Sequence, residues 1–437
     1  MKFITRTIIV LVVFNLAMGN LAPAQAEGQA EPTARRQAPV PAPPEPTPVE
    51  PTPPTLPTPK PITFPKIDRR PPAMNYPRRK MTELPTYDAD SRDLWQVDLR
   101  ACDLSELDLR SSLESLLYAS FDDRTVWPSD NRMPQGFDPR HIMALGKSPG
   151  PGIRDLHSQG ITGKGVGIAI INQTLLVDHQ EYRNQLRLYE ETDDITGGGS
   201  EMFGVAMASL AVGKTVGVAP EADLYYIATI RGGRGKDYND FSYVARSIRR
   251  ILQVNEQLPK KRRIRVIAMA KGWSEEVMGY EDVTKAAQEA KAAGMLVICT
   301  SVEKVHGLRF DGLSRSVLAD PNSFTSYGLR SFFSREGKAK EYLSGRLFVP
   351  VDSRTTASPL GNDEYVLYRQ GYLSWSFPYI AGVYALAAQV EPTITPERFW
   401  SLAMKTGNTI QLDKKDENIP LGPIIDPVAL ISTLQKK

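Results

Sequence analysis

Thr162-Gly163-Lys164-Gly165-Val166-Gly167-Ile168-Ala169-Ile170-Ile171-Asn172 joins a glycine-rich turn to an unbroken apolar run that ends in a polar residue. A strand with one wet face would alternate apolar and polar side chains. A continuous run marks a parallel strand covered on both faces. The same signature predicts strands at 167–171, 224–229, 264–269 and 295–300, separated by alanine-rich segments that predict helices at 202–212, 240–255, 282–293 and 375–389. Strands alternating with helices imply an α/β fold, a parallel sheet with helices on both sides. Functional groups then gather where strands end and helices begin.

Those junctions carry motifs. The opening stretch resembles the first strand of the subtilisin-like serine proteases, TGKGVxVAVID. Downstream come Val177-Asp178-His179-Gln180-Glu181-Tyr182, Gly204-Val205-Ala206-Met207-Ala208-Ser209 and Val216-Gly217-Val218-Ala219-Pro220-Glu221-Ala222-Asp223-Leu224-Tyr225. Ser374-Trp375-Ser376-Phe377-Pro378-Tyr379-Ile380-Ala381-Gly382 closes the series. These resemble the family's xDHPxL, HGTHVAS, GVAPEAxLY and SMAAPHVAG, and the five fall in the family's order. The resemblance implies a three-layer α/β subtilase fold with a central parallel sheet, preceded by an N-terminal extension. It also implies an aspartate ending the first strand, a histidine opening a helix, an oxyanion-stabilising asparagine, and a serine opening the last core helix. A hydroxyl becomes nucleophilic only when a base takes its proton, an acid holds that base, and fixed donors meet the oxyanion.

Carried over residue by residue, the resemblance puts Asn172 at the aspartate, Phe203 at the histidine and Glu303 near the oxyanion asparagine. Only Ser374 matches, as the nucleophile position, and Tyr372-Leu373 replaces the Gly-Thr expected before it. Asn172 cannot stabilise an imidazolium, Phe203 cannot accept a proton, and an ionised Glu303 would repel an oxyanion. In subtilisin, loss of the serine or the histidine alone lowers turnover about 10⁶-fold. The expectation is a proteolytically inactive pseudoprotease with a binding, regulatory or structural role, in which Ser374 is an ordinary helix N-cap. The alternative is an active endopeptidase hydrolysing peptide bonds through Ser374 with an unrecognised base, Glu201 being one acid near Phe203. His141, His157, His179 and His306 read as surface or packing residues. The family's substrate-binding edge would fall on Gly272 and Trp273, where Gly272 leaves room for a peptide backbone and Trp273 covers the core.

Outward from this domain, assigned to 151–437, the chain changes character. Residues 1–26 read as a cleavable signal: Lys2 and Arg6 precede an apolar stretch at 8–17, too short to span a bilayer, and Ala24-Gln25-Ala26 offers the small residues of a cleavage site. The mature protein is thus expected to be secreted or held at a bacterial cell surface. Residues 27–75 read as a disordered spacer, since 16 of the 35 prolines fall between 32 and 72, and association with the cell wall through it is expected. Residues 76–150 form an N-terminal extension and a candidate pro-segment remnant. It repeats Val97-Asp98-Leu99, Cys102-Asp103-Leu104 and Leu107-Asp108-Leu109 at a five-residue step, which reads as too few copies for a solenoid. Leu113, Leu116, Leu117, Phe121 and Trp127 are expected to pack it on the main domain.

The charge balance, 53 Lys+Arg against 50 Asp+Glu, excludes the basic excess that nucleic-acid binding requires. The expected partners are a polypeptide ligand or an active relative. Two cysteines, Cys102 and Cys299, make neither a disulfide framework nor a zinc site, and no cofactor or metal is expected.

Overall fold

In the computed structural model, which describes residues 61–91, 95–192, 195, 197–229, 240–329, 343–371, 373–414 and 417–436, the predicted strands line up side by side. The parallel sheet comprises β1 (Lys66–Ile67), β2 (Gly167–Asn172), β3 (Leu186–Glu191), β4 (Asp223–Ala228), β5 (Ile264–Ala268) and β6 (Leu296–Ile298). Their order across the sheet is β1-β3-β4-β2-β5-β6. Consecutive residues of each strand serve opposite layers. Ile168, Ile170, Leu224 and Tyr226 enter one core, and Ala169, Ile171, Tyr225 and Ile227 the other. Helices α1 (Met202–Val212) and α4 (Ser376–Val390) belong to the first core, and α2 (Ser242–Glu256) and α3 (Tyr280–Ala292) to the second. Helices α1 and α4 are apolar nearly all round because they are enclosed by neighbours, whereas α2 shows a buried stripe and a polar outer face. Strand β2 lies between β4 and β5; the chain leaves β2 towards β3 on one side and leaves β5 towards β6 on the other, so the direction of connection reverses between β2 and β5. A crevice at its carboxyl end is the expected place for a site in such a sheet.

The expected spacer ends earlier than residue 75. Lys66 and Ile67 pair with Leu188 and Tyr189, Phe64 meets Tyr225 edge-on at 5.7 Å, and the Ile62 N–H donates to Gln257 at 2.8 Å. The sheet edge at β3 offers unpaired backbone groups, and residues 66–68 pair with them. The signal at 1–26 and the rest of the spacer to residue 60 lie outside the described residues.

The five-residue step also has a structure. The N–H groups of Leu99, Leu104 and Leu109 donate to the carbonyls of Ser120, Val126 and Arg132, each at 2.8 Å. On the other side Arg79 and Lys80 pair in parallel with Cys102 and Asp103. Three passes of chain therefore stack as a short coil, and each five-residue unit is one side of its middle pass. Val97, Leu99, Cys102, Leu104 and Leu109, all at most 1% exposed, fill its interior. The expectation of too few copies for a solenoid counted sides as turns. The coil is held to the main domain by pairing of Phe121–Asp122 with Tyr365–Tyr368, and Leu116 and Phe121 share a cluster with Leu367 and Val317. Arg124 makes a two-pronged bond to Glu364 at 2.7 and 2.9 Å across the same junction.

Candidate functional site

Asn172 is the last residue of β2 and is 3% exposed. Its Oδ1 accepts the Gln173 N–H at 2.8 Å, and its Nδ2 points to Met207 Sδ on α1. Helix α1 reaches this close because Gly204 has no side chain. A Cβ there would stand 2.6 Å from the Gln173 carbonyl and from the Tyr226 hydroxyl. Phe203 is the second residue of α1, with its N–H on Gln173 Oε1 at 3.2 Å. Ser374 sits in the single turn Leu373–Trp375, which packs against α1. Asn172 thus ends β2, Phe203 lies in the first turn of α1 with its N–H on Gln173, and Ser374 sits in a turn packed against α1.

Ser374 is not the N-cap of α4. That helix starts two residues later, at Ser376, whose hydroxyl turns back to the Leu373 carbonyl. The extra turn comes from Gly371, where any Cβ would overlap Trp375 and the Val351 carbonyl, so Trp375 folds down onto the glycine. Trp375 is 2% exposed and fills the space beside Ser374.

An aromatic stack runs through this region. Phe203 lies 5.8 Å from Trp375, Trp375 lies 5.5 Å from Tyr368, and Tyr368 meets Trp95 of the extension edge-on at 5.4 Å. The Arg100 guanidinium covers the outer end, 4.8 Å from the Trp95 ring and 5.5 Å from Tyr368, and donates to Met202 Sδ at 3.1 Å. Asp98 holds it by two bonds of 2.7 Å. Burial works against the arginine's charge, but the Asp98 bonds and the phenol of Tyr368 outweigh it and raise its pKa. Trp95 and Arg100 were not singled out in the sequence. Nothing in the five-residue step marks Arg100 apart from the neighbouring arginines, and only the stacked coil carries it to α1.

Glu303, Gly272 and Trp273 make contacts of their own elsewhere, whereas Glu201 directly precedes α1. Glu303 is the second residue of the short helix Val302–His306, and its exposed carboxylate pairs with Arg309 at 2.7 Å. Glu201 accepts from the Thr174 hydroxyl at 3.1 Å. The segment with Gly272 and Trp273 is zipped to the end of β6. Thr300 N–H donates to the Lys271 carbonyl at 2.9 Å, Trp273 N–H donates to Ser301 Oγ at 2.9 Å, and a Cβ at Gly272 would stand 2.7 Å from Thr300 Cβ. Gly272 serves this close approach rather than an open backbone edge. Trp273 is 5% exposed, with its indole N–H on Thr284 at 3.0 Å.

The histidines carry structural bonds. His179 Nε2 bonds the Glu364 carbonyl, His157 Nε2 the Val218 carbonyl, and His306 Nε2 accepts the Val297 N–H. Burial lowers the pKa of all three, that of His306 to about 4 with the help of Lys291. Cys102 and Cys299 are both buried free thiols, and burial raises Cys299 to about 12. Among the described residues no group of His, Cys, Asp and Glu is arranged to hold a metal ion.

The description of the subtilase family, peptidase S8, matches residues 163–420. Comparison with curated proteins gives no match. Among solved structures, the prenylagaramide maturation protease PagA is 14% identical at a TM-score of 0.46, with 66% of this chain and 99% of that chain covered. The PatG macrocyclase domain is 16% identical at 0.45, covering 66% and 96%. The self-cleaved protease domain of PatA is 14% identical at 0.42, covering 63% and 98%.

Proposed function

Starting from a chain that belongs to the subtilase family, we propose that this member has kept the scaffold and given up proteolysis, and that it works outside the cytoplasm as a binding, regulatory or structural protein. The observation that carries the reading is the ring of Phe203, packed on Trp375 where a proton acceptor would be needed. A phenyl ring takes no proton, and Asn172, turned to Met207, offers no negative charge to a base. Glu303, the residue expected near the oxyanion position, is instead turned outward to Arg309 and so supplies no donor there. Trp95 and Arg100 cover the same face from within the chain, so a polypeptide partner, or an active relative, would be met by other surfaces.

The test is labelling with a fluorophosphonate, which reacts only with an activated serine. The full chain is expected to remain unlabelled under conditions in which an active serine peptidase labels completely. Stoichiometric labelling that Ser374→Ala abolishes would overturn the reading in favour of an active endopeptidase.

A further inference from the structure

Away from that face, the sheet edge at β3 is covered by the chain's own residues 62–72, which lie on it as a bound peptide would. Ile62, Phe64 and Lys66 are half-buried while Pro61, Thr63 and Pro65 are exposed, so alternate side chains face the body. Ile62 and Phe64 pack on the layer of α2 and α3, and Ile67 on the opposite layer. Backbone pairing is short. Lys66 and Ile67 lie opposite Leu188 and Tyr189, and the Asp68 N–H donates to the Tyr189 carbonyl at 3.0 Å.

In the three ion pairs that cross this contact, the cation is always on the strap and the carboxylate on the body. Lys66 meets Glu190 at 2.6 Å, Arg69 meets Glu191 at 2.7 Å, and Arg70 bonds Asp178. Glu190 also holds Arg250 at 2.8 Å, and Lys66 also meets Asp68 of the strap at 3.0 Å. Partly exposed pairs of this kind select a partner more than they strengthen its hold. A segment kept by two paired residues and such contacts opens more readily than the core strands behind it. The strap then reaches the start of α1, where Arg69 Nη1 donates to the Gly198 carbonyl and the Ser200 N–H to the Pro72 carbonyl, each at 2.8 Å.

We propose that the β3 edge is a docking groove for an extended peptide of a polypeptide partner, with alternate apolar residues followed by basic ones, and that residues 62–72 fill it as an autoinhibitory strap. The groove rests on the binding role proposed above and not on the state of Ser374. Being tied to the same chain, the strap competes at a roughly millimolar effective concentration. The probe is a fluorescein-labelled peptide of residues 60–71, its binding to the full chain followed by anisotropy. Lys66→Glu with Arg69→Glu in the chain sets like charges against Glu190 and Glu191 and should unseat the strap, so that the peptide binds at least tenfold more tightly than to the unaltered chain. The same peptide carrying those two substitutions should not bind. In millimolar peptide the unaltered chain should show faster hydrogen exchange at 198–203, where the displaced strap no longer holds Gly198 and Ser200. Sedimentation should find the doubly substituted chain monomeric without peptide, and a dimer would overturn the proposal in favour of a second copy's strap as the occupant. Equal affinity for the two chains, equal binding of the two peptides, or exchange at 198–203 unmoved by peptide would each overturn it as well. If the doubly substituted chain does not melt cooperatively, the exchange measurement and Ile67→Ser, which loosens the strap without changing its charge, still decide it. Fluorophosphonate labelling of Ser374 in a chain that binds the peptide would strike the loss of proteolysis and leave the groove standing.

Discussion

At the scale of single residues, the structure turns Asn172 to Met207 at the end of β2, packs Phe203 on Trp375 and leaves Ser374 in the turn before α4. These residue types were readable as letters at motif positions. What the letters did not show is that Trp375 folds onto Gly371 and adds a turn before α4, or that Glu303 is turned outward to Arg309. His306 illustrates the same divide and yields a prediction. Its folded pKa, held at about 4 chiefly by burial, is below the ordinary value of 6.5. Between those values the unfolded chain takes up a proton that the native one refuses, so stability is full above pH 6.5 and is lost as pH falls towards 4. His157 and His179 act in the same direction. Replacing His306 by Gln keeps an acceptor for the Val297 N–H and removes the titration. The difference in urea-unfolding free energy between pH 7.5 and pH 4.5 should therefore shrink by roughly 1–2 kcal/mol, a value discounted for the ring's partial exposure. An unchanged difference would show that His306 titrates normally.

At the scale of elements, the long periodic segments were the legible ones. The helix expected at 202–212 is α1, and that expected at 240–255 is α2 shifted by a residue or two. Strands β2, β4, β5 and β6 also stand where the apolar runs put them, because a run buried on both faces is a local signal, whereas β1 and β3 were not read from the sequence. The extension was less legible, since its stability comes from pairing residues about 22 positions apart, such as Asp98 with Ser120. The extension docks on the main domain through a paired strand and side-chain bonds. Phe121–Asp122 is a strand of the sheet containing Tyr365–Tyr368, and Arg124 and Asp123 bond Glu364 and the Tyr365 N–H. Deleting residues 76–150 should expose Leu367, Val317 and Tyr368 together, and the remainder is expected to be insoluble or to lose a cooperative melt. Circular dichroism of the deletion variant checks this. A soluble remainder that melts as sharply as the full chain would mean that the extension is a separable pro-segment.

At the scale of the whole molecule, the reading of an exported protein rests on the first 26 residues. The short apolar stretch at 8–17 and the small residues Ala24 and Ala26 predict cleavage before Glu27. Intact-mass measurement of the exported protein should give a chain starting there. A mass that keeps residues 1–26 would identify an uncleaved anchor instead.

Four strands of the parallel sheet, the helices that cover it and the residue types at the motif positions follow from the order of residues alone, because each is written in contiguous periodicity or in a local motif. Tertiary contact was needed to bring residues 66–68 to the sheet edge, to stack three passes of chain into a coil, to lay Arg100 over Trp95 and Tyr368, and to enclose Arg354 among carbonyls. Each of these joins segments tens to hundreds of residues apart. Their contact depends on which surfaces remain unpaired once the local elements have formed, and no local pattern records that.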